Sequence, residues 1–375
     1  MADFHAHTTL KPYLFARSTW EETRAPRRFS PLSFRAGLPA LLRGGVRTAV
    51  VAHHVPEEEL FRDSVLARGA ARLLSPMYGW LREGRPFRRL EEMMMILEWE
   101  ADRCPERVSV VRSPAELREA RRKGRLALVH GVEGAHVLEG DPSRVEELAA
   151  AGVATMTLAH LYPNGAVTGV DAVPDYPLVR TLSRFRFGDG GTPPLTDLGR
   201  EVVRRMTRIG MIVDVAHAAP AARREILDEV DGRRPVVASH VGLRALYDRR
   251  YNLTDREVSR IAATGGAVGV ILMPFWLTGR RGHGLEAVWR TVRRIGELTG
   301  GWEHVMIGSD LDGFTRPPAD VPDASRMARI TRLFRERGVP PGDVRRIMGE
   351  NALRVLAAGW EVYRAARDGR LDEQF

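Results

Sequence analysis

The sequence predicts a single (β/α)8 (TIM) barrel, and three features carry that prediction. Short runs rich in Val, Ile and Ala recur along the whole chain, stretches of helical periodicity fall between them, and most runs end in a polar or charged residue. Near-continuous apolar character marks strands buried on both faces, as parallel strands beneath helices are. Eight such strands alternating with helices over 375 residues fit a closed barrel, with a doubly wound open sheet as the alternative. No G-x-G-x-x-G follows the first run, which weakens the dinucleotide-binding form of that alternative.

The elements follow in order within one domain, residues 1–375. The run ADFHAH (2–7) is strand one. Alternate residues of a strand share a face, so His5 and His7 point the same way and Ala6 the other. Strand two is VRTAVVAHH (46–54), where only one of the adjacent His53 and His54 can face the barrel mouth. A helical insertion is expected over about 56–105, and from Pro86 to Cys104 it sets Phe87, Leu90, Met94 and Leu97 on one core-facing stripe. RVSVVRS (107–113) reads as an accessory strand, and Ser113 to Glu116 as a capping box with proline at the first helical position. RLALVHGVEG (125–134) and ATMTLAH (154–160) are strands three and four, separated by a helix that Asp141-Pro142 opens and that ends near Gly152. The stretch of about 161–195 is too long for an ordinary connection and is expected to cover a substrate. MIVDVAH (211–217), PVVASH (235–240), GAVGVILMP (266–274) and HVMIGSD (304–310) complete the barrel. Thr254 to Glu257 form a second capping box, whose helix stops at Gly265-Gly266.

Composition narrows the function. The net charge is +9, but nearly every cation is arginine, dispersed among acidic residues along helix-like segments, so nucleic-acid binding is not expected. The longest uncharged apolar run, Gly265 to Leu277, is short of the roughly 20 residues of a membrane span. No leader pattern is seen, and the single Cys104, in a surface-like DRCPE stretch, excludes an intrachain disulfide. The expected setting is cytoplasmic and reduced.

A barrel concentrates its chemistry at the C-terminal ends of its strands. Those ends carry His5, His7, Glu133, His160, His217, His240 and Asp310. Imidazole and carboxylate suit zinc and its neighbours. The inventory exceeds the needs of one tetrahedral ion, and two ions bridged by a carboxylate fit it better. Asp310 is then left to move protons, with Asp312 as its rival, and His160 is free to polarise a carbonyl oxygen. The reaction class is metal-assisted hydrolysis of an amide or ester. His53 or His54 is expected to support the site from behind, His136 to hold its loop, and Asp214 to be a hydrogen-bonded structural acid on the face opposite His217.

The stretches GVEGAHVL (131–138), MTLAHLYPNG (156–165), GMIVDVAH (210–217), PVVASHVGLRALYD (235–248), NLTDREVSRIAATGGAVGV (252–270), IGSDLDGF (307–314) and MGENALRVL (348–356) resemble, in order, the membrane dipeptidase (renal dipeptidase) family of zinc peptidases, among the amidohydrolase-like barrels. The resemblance implies a usually dimeric barrel holding two zinc ions and hydrolysing small dipeptides by a metal-bridging hydroxide, many members accepting a D-residue at the C-terminal side. It implies that Glu133 bridges the ions, that His5 serves one and His217 and His240 the other, and that His160 meets the substrate carbonyl. It casts Asp310 as the acid that binds the substrate amine or shuttles a proton. Two positions depart from the pattern. His7 replaces the usual aspartate of an H-x-D, giving an H-x-H metal pair. Tyr251, preceded by Arg249 and Arg250, stands where the family often has an arginine for the substrate carboxylate. These departures keep open another amidohydrolase activity, on an N-acyl amino acid, a lactone or a cyclic amide, and, from another class, a non-catalytic metal-binding scaffold.

Overall fold

The computed structural model describes residues 1–21, 32–81, 84–173 and 193–368. Nine strands form one parallel sheet: β1 (Ala2–Ala6), β2 (Thr48–His54), β3 (Val108–Val110), β4 (Leu126–Glu133), β5 (Val153–Thr157), β6 (Ile212–Asp214), β7 (Val236–Val241), β8 (Ala267–Val270) and β9 (Val305–Ile307). Eight of them run in the order β1-β2-β4-β5-β6-β7-β8-β9, and β3 is accessory, pairing with the first residues of β4. Past β9 the chain returns to β1. Asp310 N donates to His5 O and His7 N to Leu311 O, both at 2.9 Å, closing the barrel at its C-terminal end.

Every residue of the eight barrel strands is buried, which is why they lack a polar alternation. Phe4, Val50, Val129, Ile212, Val237 and Met306 form one apolar cluster with Val355, Leu356 and Trp360. The last three belong to helix Asn351–Arg367, which lies across the N-terminal end of the barrel. Its Asn351 amide donates to Val305 O at 2.7 Å, where β9 begins. A second, larger cluster joins the outer faces of the strands to the surrounding helices. Among the described residues no helix is long and apolar enough to cross a membrane.

Local signals set several helix starts. Thr254 and Glu257 form the full reciprocal capping box of helix Asp255–Ala263. At helix Pro114–Arg122, Ser113 caps the Glu116 amide, but the Glu116 carboxylate reaches Arg112 N (2.8 Å) instead of closing the box on Ser113. The helix expected from Asp141 begins only at Arg144, because Asp141 first closes a turn on Ser143 N at 2.9 Å. Between β2 and β3 lie helices Glu58–Asp63, Val65–Leu74, Tyr78–Leu81 and Pro86–Asp102, the last burying Leu90, Met93, Met94 and Leu97. The expected covering loop, about 161–195, falls largely on residues 174–192, outside the described residues.

Candidate metal centre

The mouth of the barrel converges on one carboxylate. Glu133, the last residue of β4, is 1% exposed. The Nε2 atoms of His5 and His217 lie 3.3 Å, and that of His240 3.5 Å, from its Oε1. His7 Nε2 approaches the other oxygen, Oε2, at 3.4 Å, and stands 3.1 Å from Asp310 Oδ1. His160 is set further back, its Nε2 3.8 Å from Glu133 Oε2.

Irregular backbone aims these side chains. Register shifts interrupt β1 between Asp3 and Ala6 and β7 between Ala238 and Val241, at His5 and His240. Such a bulge bends a strand and re-aims a side chain. His217 and Asp310 lie three residues beyond shortened strands, at φ 61° and 55°, in the left-handed region that a non-glycine residue occupies at a cost of about 1–3 kcal/mol. The Ser239 hydroxyl lies 3.1 Å from His5 Nδ1 and 2.7 Å from His240 Nδ1, so one group sets both rings with their Nε2 edges toward Glu133. Glycine is required around it: a Cβ at Gly269 or Gly308 would collide with the Ser239 carbonyl. Beneath, Asp214 accepts from Thr157 Oγ1 (2.6 Å) and from the amides of Ala216 and Ser239 (3.0 Å each).

Burial alone would raise the Glu133 carboxyl, but His160, His5 and His7 around it hold it well below the usual carboxylate range. Burial likewise opposes protonation of His5, and Glu133 beside it leaves that imidazole raised. His240, buried and flanked by His5 and His217, is held well below its ordinary value.

This donor set fits a divalent metal. His217 and His240 bring their Nε2 atoms to 2.7 Å, and His5 and His7 bring theirs to 3.3 Å. Glu133 Oε2 is buried without a hydrogen-bond partner among the described residues. Crowded lone pairs around a buried anion call for a cation. Donor atoms lie within 4.8 Å of one another in three sets: His5–Glu133–His240, His5–His7–Asp310 and His54–Glu133–His160.

The sequence matches the model of the family described as membrane dipeptidase (peptidase family M19) over residues 11–368. The chain belongs to the membrane dipeptidase family. The matched region starts after His5 and His7, so the first-strand pair lies outside it. Dipeptidase verJ of Clonostachys rogersoniana is 30% identical over 267 residues, 70% of this chain and 62% of that protein. An uncharacterized dipeptidase of Schizosaccharomyces pombe is 29% identical over 234 residues, 62% of this chain and 53% of its own length. The chain therefore spans about half to three-fifths of the length of these curated relatives. A metallo peptidase from Rhodobacter sphaeroides, solved with a phosphinate mimic of the dipeptide L-Ala-D-Ala, shares the fold at TM-score 0.76. That likeness covers 96% of this chain and 99% of that one at 21% identity.

All seven strand-end residues singled out in the sequence meet at this family fold's barrel mouth. The expected strands run too long, however. β6 ends at Asp214, so alternation never reaches His217, and the left-handed turn returns that ring to the mouth while Asp214 stays beneath as a structural acid. Asp312 is no rival to Asp310: it is buried, accepting from Lys11 Nζ (2.8 Å) and from the amides of Arg35 and Ala36 (2.7 Å each). Of the histidine pair, His54 faces the mouth, its ring 3.9 Å from that of His160. His53 turns outward to Thr9 Oγ1 (2.9 Å) and His130 (2.8 Å). His136 holds its loop through Val55 O at 2.8 Å.

Tyr251 and Arg250 part company. Tyr251 is buried, its ring stacked at 4.3 Å on Trp276, whose own ring lies 6.1 Å from His217. Arg250 is exposed on the adjoining turn, and its carbonyl accepts from Arg223 at 3.1 Å. Arg249 is exposed too, lying over the Tyr247 ring at 4.4 Å. Among the described residues neither arginine bonds to a side chain of the cluster. Sequence reasoning missed Glu57 and Trp276. Glu57 sits three residues past β2, the same offset as His160 past β5, but the acidic PEEE run resembles a solvated helix start.

Proposed function

We propose that this chain is a dinuclear zinc dipeptidase, hydrolysing the peptide bond of small dipeptides and accepting a D-residue at the C-terminal side. The observation that carries the reading is the convergence of His5, His7, His217 and His240 on the buried Glu133, inside a chain of the membrane dipeptidase family. His5 and His7 would hold one ion, His217 and His240 the other, and Glu133 would bridge them. Bound ions would supply Lewis acidity and an activated water.

The chain's own residues do the rest. Asp310, 3.1 Å from His7, binds the substrate amine or carries a proton to the leaving group. His160 faces the substrate carbonyl from behind Glu133. Tyr251 and Trp276 offer an aromatic wall on the His217 side, which suits an apolar residue in the substrate. The Rhodobacter sphaeroides neighbour of the same fold was solved with a mimic of L-Ala-D-Ala, a dipeptide with a D-residue at that side.

One observation favours a second reading. Arg249 and Arg250 are exposed and, among the described residues, bond to no side chain of the cluster, so a substrate without a free carboxylate, such as a lactone or cyclic amide, also suits the site. A zinc-loaded panel of L-L and L-D dipeptides beside N-acyl amino acids and lactones separates the two. Dipeptide turnover, strongest on L-D pairs, supports the first reading, and turnover confined to the other classes overturns it.

A further inference from the structure

Glu57 is a buried carboxylate that the centre described above does not use. It follows β2 and is 5% exposed. Its Oε1 accepts from His160 Nδ1 at 2.7 Å and from the backbone amide of Leu161 at 3.1 Å. Its Oε2 lies 3.5 Å from His54 Nε2. The other His54 nitrogen, Nδ1, faces the carbonyl of Glu133 at 3.2 Å. One carboxylate thus ties the end of β2 to both the side chain and the backbone of the loop after β5.

We propose that Glu57 is the positioning residue for His160, fixing its ring as the Nδ1–H tautomer with a bare Nε2 facing Glu133. The argument is one of donors and acceptors. An ionised carboxylate can only accept, so the nitrogen 2.7 Å from it carries the proton. A neutral imidazole has one N–H, so Nε2, on the side of Glu133 and the metal ligands, keeps its lone pair. The Leu161 amide, bonded to the same oxygen, prevents Glu57 from swinging away, and the His54 ring, tilted by 47° with its centre 3.9 Å from that of His160, blocks the space a flipped ring would sweep. His160 therefore meets a substrate first as an acceptor. Carboxylate–imidazole pairs of this kind orient the imidazoles of metal centres, and their loss typically costs 10–100-fold in activity or affinity.

This inference rests on the dipeptidase reading for the role of His160, but its first test does not. Histidine-selective 15N labelling of the zinc-loaded full chain, with the His160 signals assigned by their loss in His160→Gln, reads the tautomer directly. The wild type should show His160 protonated at Nδ1. Glu57→Ala should move those signals to the Nε2–H or averaged pattern, and Glu57→Gln, whose side-chain oxygen can still accept, should retain the wild-type pattern. An Nε2–H tautomer in the wild type, or an unchanged pattern in Glu57→Ala, overturns the proposal. Circular dichroism checks that each variant is folded, and the wild-type tautomer alone supplies the answer if the alanine variant is not. On a dipeptide that the wild type cleaves, Glu57→Ala should lose roughly 10–100-fold in kcat with KM little changed, and Glu57→Gln should recover most of it. If no dipeptide is cleaved, the dipeptidase reading fails while the tautomer measurement still decides the role of Glu57.

Discussion

Glu133→Gln isolates the charge at the centre of the barrel mouth. The substitution keeps the size and most of the hydrogen-bonding capacity of a side chain that is 1% exposed, and removes one negative charge. His7 Nε2 stands 3.4 Å from the nearer oxygen and represents the distance at which the carboxylate acts on its neighbours. At an effective dielectric of about 20, a unit charge pair at that separation is worth roughly 5 kcal/mol. That corresponds to between about three and four decades in an equilibrium constant. Metal affinity should fall by about that factor, and turnover should fall with it because the carboxylate is shared by every proposed ligand. Elemental analysis of protein dialysed against a graded zinc chelator reads the first quantity, and hydrolysis of the preferred substrate reads the second. A Glu133→Gln protein that holds its metal at wild-type chelator concentrations and turns over normally would refute the bridging role.

Four further outcomes follow from the same geometry. Asp310→Asn should abolish most activity with little change in melting temperature. Asp312→Asn strands the buried Lys11 and should cost about 3–5 kcal/mol of stability, read in a thermal melt. Equal effects of the two substitutions on activity and on melting would contradict the division drawn between these acids. His7→Asp puts a harder ligand beside Asp310 and should shift metal selectivity from zinc toward manganese or magnesium, read by competition in a mixed-metal buffer, and unchanged selectivity would remove His7 from the ligand set. Stripping the metal should lower the melting temperature reversibly, because zinc at about 1,000 times its Kd stabilises the folded state by roughly 4 kcal/mol. A melt indifferent to chelator and zinc would argue against a tight site.

The parts of this protein that were legible in the sequence are those that local rules decide. Buried parallel strands read as apolar runs because both of their faces are covered, so all eight barrel strands and the accessory β3 stood out. Strand-end chemistry was equally plain, since His5, Glu133 and His240 lie on strands and His160, His217 and Asp310 a few residues beyond. Alternation was the wrong rule for His217, because it holds only where the extended backbone continues, and that residue sits in a left-handed turn, as Asp310 does. Glu57 gave no local signal at all. A carboxylate in an acidic run looks solvated unless one knows that His160, 103 positions away, folds against it.

The sequence by itself determined the barrel, the donor types and the order in which they enter the mouth, because periodicity and residue chemistry are properties of neighbours along the chain. Only the tertiary structure decided which oxygen each imidazole faces, which of His53 and His54 turns inward, and that Asp312 is committed to Lys11 while Asp310 faces His7. Those choices depend on register shifts, left-handed turns and contacts between distant segments. Their energies are set by what packs beside a residue in space, which no local pattern records.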